Sequence, residues 1–124
     1  MTPFGARLRA LRAVRGLTLK RMAADLSLSP AYLSALEHGR RGRPTPVLVK
    51  MICAYFDIIW DEAEELERLA ALSHPRIVID TAGLSPAHTE LANRLAAGIA
   101  DLDREAVARL LESLKETEAG AESA

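Results

Sequence analysis

The spacing of apolar residues along the chain predicts seven helices and one short strand. Leucines and other apolar residues recur three and four positions apart, which places them on one side of an α-helix. At three positions a Ser or Thr directly before a Pro indicates a helix start. The hydroxyl can cap the first turn, and proline is well suited to the first helical position. The predicted helices cover about 4–15, 19–25, 30–38, 46–55, 61–72 and 86–99, and the last runs from 101 or 103 to about 116.

Residues 76–80 are the only segment with the pattern of a strand, since three β-branched apolar residues lie between turn signals. A lone strand needs a partner for its backbone groups, and we expect it to pair with its own copy in a second subunit. The two amphipathic helices that follow are too small to form their own core. Residues 74–116 are therefore predicted to form a dimerisation region, and 117–124 a disordered tail. The predicted dimer interface consists of Ile77, Val78, Ile79, Leu91, Leu95, Ile99, Val107, Leu110, Leu111 and Leu114.

Composition narrows the class of protein. With 124 residues, 49% apolar and 4% aromatic, the chain suits a small all-α protein with an aliphatic core. One cysteine excludes an internal disulfide, and neither a signal peptide nor a membrane-spanning run is visible, so we expect a cytoplasmic or nucleoid-associated protein. The chain contains no recognisable arrangement of catalytic residues or metal ligands, so neither an enzyme nor a cofactor is predicted.

Charge is divided unevenly between the two halves. Residues 1–50 contain ten Arg and Lys against two acids, a net of +8, whereas residues 51–124 contain six against fifteen acids, a net of −9. A basic half suits contact with phosphate, and an acidic half is repelled by the same backbone. Contact with nucleic acid is therefore expected in the first half of the chain and assembly in the second.

Residues 18–44 combine two short helices, a tight turn and a basic exit loop, which is typical of a helix-turn-helix. In such proteins the second helix lies in the major groove of DNA. Basic side chains and the hydroxyls at the two helix starts are predicted to contact phosphates. The phosphate set is Thr18, Lys20, Arg21, Ser29, Arg40, Arg41 and Arg43.

The chain resembles the lambda Cro and C1 repressor class, also called the xenobiotic-response-element family, over a little more than half its length. The matching residues are Leu8, Leu11, Arg12, 16–18, Ala23, 29–34 and 37–40. The resemblance implies a five-helix lambda-repressor-like DNA-binding domain at 1–73. It also implies a buried ion pair between Arg12 and Glu37, and a costlier turn at Ser27, where the family usually has glycine.

The same resemblance implies that the third helix contacts bases through Pro30, Ala31, Tyr32, Ser34 and Ala35. These residues form few hydrogen bonds to bases, so sequence recognition is expected to depend also on the basic loop and on DNA shape. Tyr32 also suits packing against the fourth helix. His38 is included among the DNA-binding candidates, although it suits a local role at the helix end equally well.

Together these features predict a dimeric repressor that binds double-stranded DNA at an inverted repeat. Two alternatives remain open from the sequence. The chain suits an antitoxin that represses its own operon and binds a toxin through its C-terminal part. It also suits a protein-interaction module that has lost DNA binding and uses its C-terminal helices to hold a protein partner.

Overall fold

The computed structural model of the protein describes residues 1–123, with side chains described through residue 121. The chain divides into two units, Met1–Ile77 and a second unit that begins at Val78. Over the described residues the regular structure is entirely helical. The helices are α1 Pro3–Arg15, α2 Leu19–Asp25, α3 Pro30–Glu37, α4 Pro46–Tyr55, α5 Trp60–Ala71, α6 Pro86–Gly98 and α7 Arg104–Ser123, with a 3₁₀ turn at Ile99–Asp101.

The first unit is closed by contacts between the start of α1 and the end of α5. The Thr2 hydroxyl caps α1 by accepting the Gly5 N–H at 3.0 Å. Ser73, buried after α5, accepts the Phe4 N–H at 2.9 Å and donates to the Leu69 carbonyl at 2.5 Å. Because these groups satisfy donors that a helix start leaves free, the two chain segments are fixed to each other.

An aliphatic core holds the five helices of the first unit together. Leucine, methionine and isoleucine side chains from α1 to α5 interlock with almost no exposure, as the low aromatic content predicts. The principal core residues are Phe4, Leu8, Met22, Ala23, Leu33, Leu36, Val49, Ile52 and Leu66. This core fixes α2 and α3 against the rest of the unit.

The turn between α2 and α3 depends on a residue in the left-handed region. Ser27 has φ +58°, at the position where the resemblance implies a glycine. A residue with a Cβ pays about 1 kcal/mol or more in this conformation. The costlier turn expected at Ser27 is therefore present as a positive φ at a residue with a Cβ.

Ser27→Gly is expected to raise the free energy of unfolding by about 0.5–1 kcal/mol, because the relief of strain exceeds the added chain entropy of glycine. Urea unfolding followed by circular dichroism measures this change. Ser27→Ala removes the same hydroxyl and keeps the Cβ, so it should give no gain. Equal stabilities of the two variants would contradict the assignment of strain to this backbone.

The strand predicted at residues 76–80 is wrong. These residues carry no regular secondary structure, and their apolar side chains are exposed, Val78 at 95%. Their pattern favours a strand locally, but no other described segment offers a neighbouring strand to satisfy the backbone groups.

The second unit consists of two amphipathic helices whose apolar sides are uncovered. Ser85 caps α6 together with His88, and α6 has no buried residue. Of the ten residues predicted at a dimer interface, Leu95 is half-buried and the others are exposed. The disordered tail predicted from residue 117 is wrong over 117–123, because α7 continues through this Ala- and Glu-rich segment, whose residues favour helix. Residue 124 lies outside the described residues.

Candidate nucleic-acid interface

The two short helices α2 and α3 form a fixed corner at the protein surface. The hydroxyls of Thr18 and Ser29 each accept a backbone N–H at 3.0 Å and so define where the helices begin. The turn is closed by the Leu28 N–H, which donates to the Ala23 carbonyl at 2.8 Å. Because one side of each helix packs in the core, the orientation of the other side is set by the fold.

An ion pair ties α3 to α1 inside the first unit. Arg12 Nη2 lies 2.7 Å from Glu37 Oε1, and the two side chains are 10% and 0% exposed. The backbone adds to the connection, since the Thr2 N–H donates to the Glu37 carbonyl at 3.1 Å. Arg12 Nε and Glu37 Oε2 have no hydrogen-bond partner, so the pair is buried but incompletely satisfied. It is the pair that the family resemblance implies.

The candidate base-reading residues of α3 are not equally accessible. Pro30 and Ala31 are exposed at the start of the helix, whereas Ser34 and Ala35 are half-buried. Tyr32 is half-buried and packs partly against the core. This favours the packing role that the sequence left open for Tyr32. The accessible part of α3 is therefore small and largely apolar.

The candidate cations of α2 differ in their partners. Lys20 is exposed and has no ion pair among residues 1–123, whereas Arg21 Nε lies 3.1 Å from Asp25 Oδ1. Asp25 Oδ2 also accepts the Tyr55 hydroxyl at 2.6 Å, and this hydrogen bond, followed by Arg21, lowers the pKa of Asp25. The same bond raises the pKa of Tyr55. Arg21 is thus partly neutralised, whereas Lys20 is available to an anion.

The residues that connect α1 and α2 to the end of α4 were not predicted from the sequence. Tyr55 gives no signal in the sequence that it reaches Asp25, 30 positions away. Arg15, which the charge pattern places with the basic surface, instead donates to the Phe56 carbonyl at 2.8 Å and lies over the Phe56 ring at 5.2 Å. The Arg21 and Asp25 spacing of four residues was the one visible signal of this network.

The segment that leaves α3 begins with a histidine that contacts the helix, and arginines without ion pairs among the described residues follow it. His38 Nδ1 lies 2.8 Å from the Ser34 carbonyl, so the ring closes the last turn of the helix. Arg40, Arg41 and Arg43 are exposed, and within the described part of the chain none of them forms an ion pair. The structure therefore brings the predicted loop cations together next to α3.

Other kinds of site have little support in residues 1–123. No cluster of three or more His, Cys, Asp or Glu side chains there is placed to hold a metal ion. Burial raises the pKa of the Cys53 thiol, which disfavours the reactive thiolate. Among the described helices, none is long and apolar enough to cross a membrane.

Comparison with known proteins places this corner in a known family. Residues 3–69, more than half of the chain, match the family described as Helix-turn-helix domain. No solved structure matches the chain. Two similar proteins of Bacillus subtilis (strain 168) are the uncharacterized HTH-type transcriptional regulator RghRB and the HTH-type transcriptional repressor RghR. Each is 38% identical over 61 residues, which is 49% of this chain and 44% or 45% of the relative.

The chain thus spans a little under half the length of the curated relatives it matches. The matched region contains α1 to α4 and most of α5, including the corner of α2 and α3 and the basic loop. The prediction of a helix-turn-helix from residues 18–44 is therefore confirmed. The chain belongs to the Helix-turn-helix domain family.

Proposed function

We propose that this protein is a transcriptional regulator that binds double-stranded DNA through residues 18–43 and acts as a dimeric repressor. The observation that carries the proposal is the exposed start of α3 on a buried scaffold, together with three exposed arginines in the loop that follows the same helix, none of which forms an ion pair among residues 1–123. In helix-turn-helix proteins the start of the second helix contacts base edges while flanking groups hold phosphates. The name of RghR, a transcriptional repressor, supports the direction of control.

Base recognition in this proposal depends on few direct hydrogen bonds. Ala31 offers a methyl group to a thymine methyl, and the half-buried Ser34 offers one adaptable hydroxyl. Neither gives the bidentate contact that discriminates strongly among base pairs. DNA shape and deformability then supply much of the sequence preference.

Phosphate contacts supply most of the affinity. Lys20, Arg40, Arg41 and Arg43 are exposed and free of ion pairs among the described residues, so they exchange only solvent and counterions for phosphate. Arg21 contributes less, because it must first release Asp25. Affinity should consequently fall steeply as salt concentration rises.

The second unit is proposed to join two copies of the chain. Its helices expose leucines on sides that a lone pair of helices cannot cover, including Leu91, Leu110, Leu111 and Leu114. Leu110, Leu111 and Leu114 lie on one side of α7 by their helical spacing, and neighbouring exposed apolar residues of this kind are typical of an interaction site. A second copy is favoured because two helix-turn-helix units related by a two-fold axis match an inverted repeat, with half-sites about 34 Å or about 10 bp apart, or a multiple of that.

Leu114→Asp is expected to weaken the dimer by about 100-fold, because an unpaired charge in an apolar interface costs about 3 kcal/mol or more. Sedimentation equilibrium measures the dissociation constant. Val14→Asp introduces the same charge at an apolar residue of α1 that is 87% exposed, and should leave the dimer intact. A wild-type protein that is monomeric at every concentration tested would exclude self-association through this unit.

Selection of the purified protein against a random duplex library tests the proposal as a whole. Enrichment of an inverted repeat, with affinity that falls steeply with salt, is the expected result. No enrichment from folded protein would reject sequence-specific DNA binding. If the protein then bound a polypeptide with little dependence on salt, the interaction module would be the better description.

A further inference from the structure

A groove of about 620 Å³ lies where the exit of α3 meets the segment that follows α5. The two walls are distant in sequence and both are basic. The lining residues are Gly39, Arg40, Gly42, His74, Pro75 and Arg76. The groove therefore brings a cation from beyond α5 next to the predicted DNA-contacting loop.

Close packing holds the wall formed by residues 74–76 in place. Gly39 is buried with φ +79°, and a Cβ there would lie 2.9 Å from Thr2 Cγ2 and 3.4 Å from Pro75 Cβ. The absence of a side chain thus lets Pro75 lie against the end of α3. Ser73 anchors the preceding residues through its buried hydroxyl.

The backbone of the next turn is also constrained. The Arg76 N–H donates to His74 Nδ1 at 3.3 Å. In this contact Nδ1 of His74 is the acceptor. The contact restricts the backbone between residues 74 and 76, which line the groove.

The groove has the charge of an anion site. Arg40 and Arg76 are exposed and, among residues 1–123, neither pairs with a carboxylate. None of the six lining residues is acidic. The nearby Glu37 is fully buried and paired with Arg12, so its charge is not presented to the groove. Guanidinium groups donate in a fixed fork that matches phosphate oxygens.

We propose that this groove binds one phosphodiester group of duplex DNA, with Arg76 and Arg40 as the donors. The assignment rests on the proposed function and extends its interface beyond the helix-turn-helix and its loop. A DNA phosphate is favoured over a small free anion because the groove is open and continuous in sequence with Arg41 and Arg43, the other unpaired cations of the loop. Arg76 is then a phosphate ligand that positions the first unit on the duplex without reading its sequence.

Arg76→Gln in the full chain tests the assignment. Binding to a mixed-sequence duplex of about 24 bp is measured across a range of salt concentrations, at a length that accommodates two half-sites. Loss of one phosphate contact in each of the two bound subunits should lower the slope of log affinity against log salt by about 2, with a similar loss on any duplex sequence. Arg104→Gln is the matched control, because Arg104 is an exposed arginine of the second unit without an ion pair among the described residues.

The outcomes separate this inference from the proposed function. An unchanged slope for Arg76→Gln, with tight salt-dependent binding by the wild type, overturns the groove site and leaves the proposed function standing. Equal losses of affinity and of salt slope for Arg76→Gln and Arg104→Gln would show that only the net charge of the protein matters, and would also overturn the groove site. No duplex binding by the wild type rejects both. Saturable binding of inorganic phosphate at constant ionic strength, abolished by Arg76→Gln and not displaced by duplex, assigns the groove to a free anion instead.

Discussion

Gly5→Ala is expected to lower the melting temperature by about 15 °C or more, because a methyl group at this position has no space. A Cβ built on Gly5 lies 2.1 Å from the Glu37 carbonyl oxygen and 2.7 Å from the Glu37 Cα. Both are backbone atoms, and α3 cannot retreat while Leu33 and Leu36 are locked in the core. Overpacking of this kind costs about 3 kcal/mol or more, which corresponds to the stated shift for a unit of this size.

The control for Gly5→Ala is the same substitution in open space. Gly120 lies within α7, and nothing approaches within 4 Å of a Cβ built there. Gly120→Ala should therefore be neutral or slightly stabilising, since alanine favours helix more than glycine does. Differential scanning calorimetry of the three proteins gives the comparison. A melting temperature for Gly5→Ala within a few degrees of the wild type would mean that α1 and α3 are not in this contact.

Helix positions could be predicted closely because their start signals are local. Ser29 with Pro30, Thr45 with Pro46 and Ser85 with Pro86 each place a hydroxyl cap before a proline, and each helix begins where that pair predicts. The start of α5 lacks such a cap, yet the acidic first turn and apolar spacing still located the helix to within a residue. Local chemistry was sufficient wherever it was consistent with the later packing.

Two segments were predicted wrongly, the strand at 76–80 and the tail from residue 117. The first depends on groups far away in the sequence, and the second was judged from its composition alone. A strand at 76–80 needs a neighbour, and β-branched residues alone do not supply one. The tail beyond 116 lacks an apolar pattern, but its alanine and glutamate residues extend an existing helix without needing a core. The small and polar residues of this segment predicted disorder, although extending an existing helix costs less free energy than nucleating a new one.

The candidate site shows the same division between local and long-range information. The loop cations at 40–43 could be placed from sequence, because no acids are interleaved with them. The pairing of Arg21 was visible as a four-residue spacing, but the contact from Tyr55 that completes the network depends on how α4 packs. Arg76 lines the proposed phosphate groove beside Arg40 because Pro75 lies against Gly39, a contact between positions far apart in the sequence. Long-range packing thus decides which of the many arginines are free for a ligand.

Glu37→Ala is expected to destabilise the first unit by about 3–5 kcal/mol, which lowers the melting temperature by about 15 °C or more. The substitution leaves the Arg12 guanidinium buried with no carboxylate, while Thr2 still holds the backbone at position 37. Since α3 is tied to α1 through this pair, DNA binding should fail together with folding. A variant that lost DNA binding with an unchanged melting temperature would instead make Glu37 part of the contact surface.

A double replacement separates the cost of an orphaned charge from the value of the pair itself. Arg12→Met combined with Glu37→Leu removes both charges and keeps similar volumes. Because Arg12 Nε and Glu37 Oε2 already lack partners, the native pair does not recover its full desolvation cost, and the apolar combination should restore most of the stability lost in Glu37→Ala. Glu90→Ala, which breaks an ion pair with Arg94 on the surface of α6, should leave the melting temperature unchanged within error. If the double variant were as unstable as Glu37→Ala, the ion pair would provide net stabilisation that apolar side chains of similar volume do not replace.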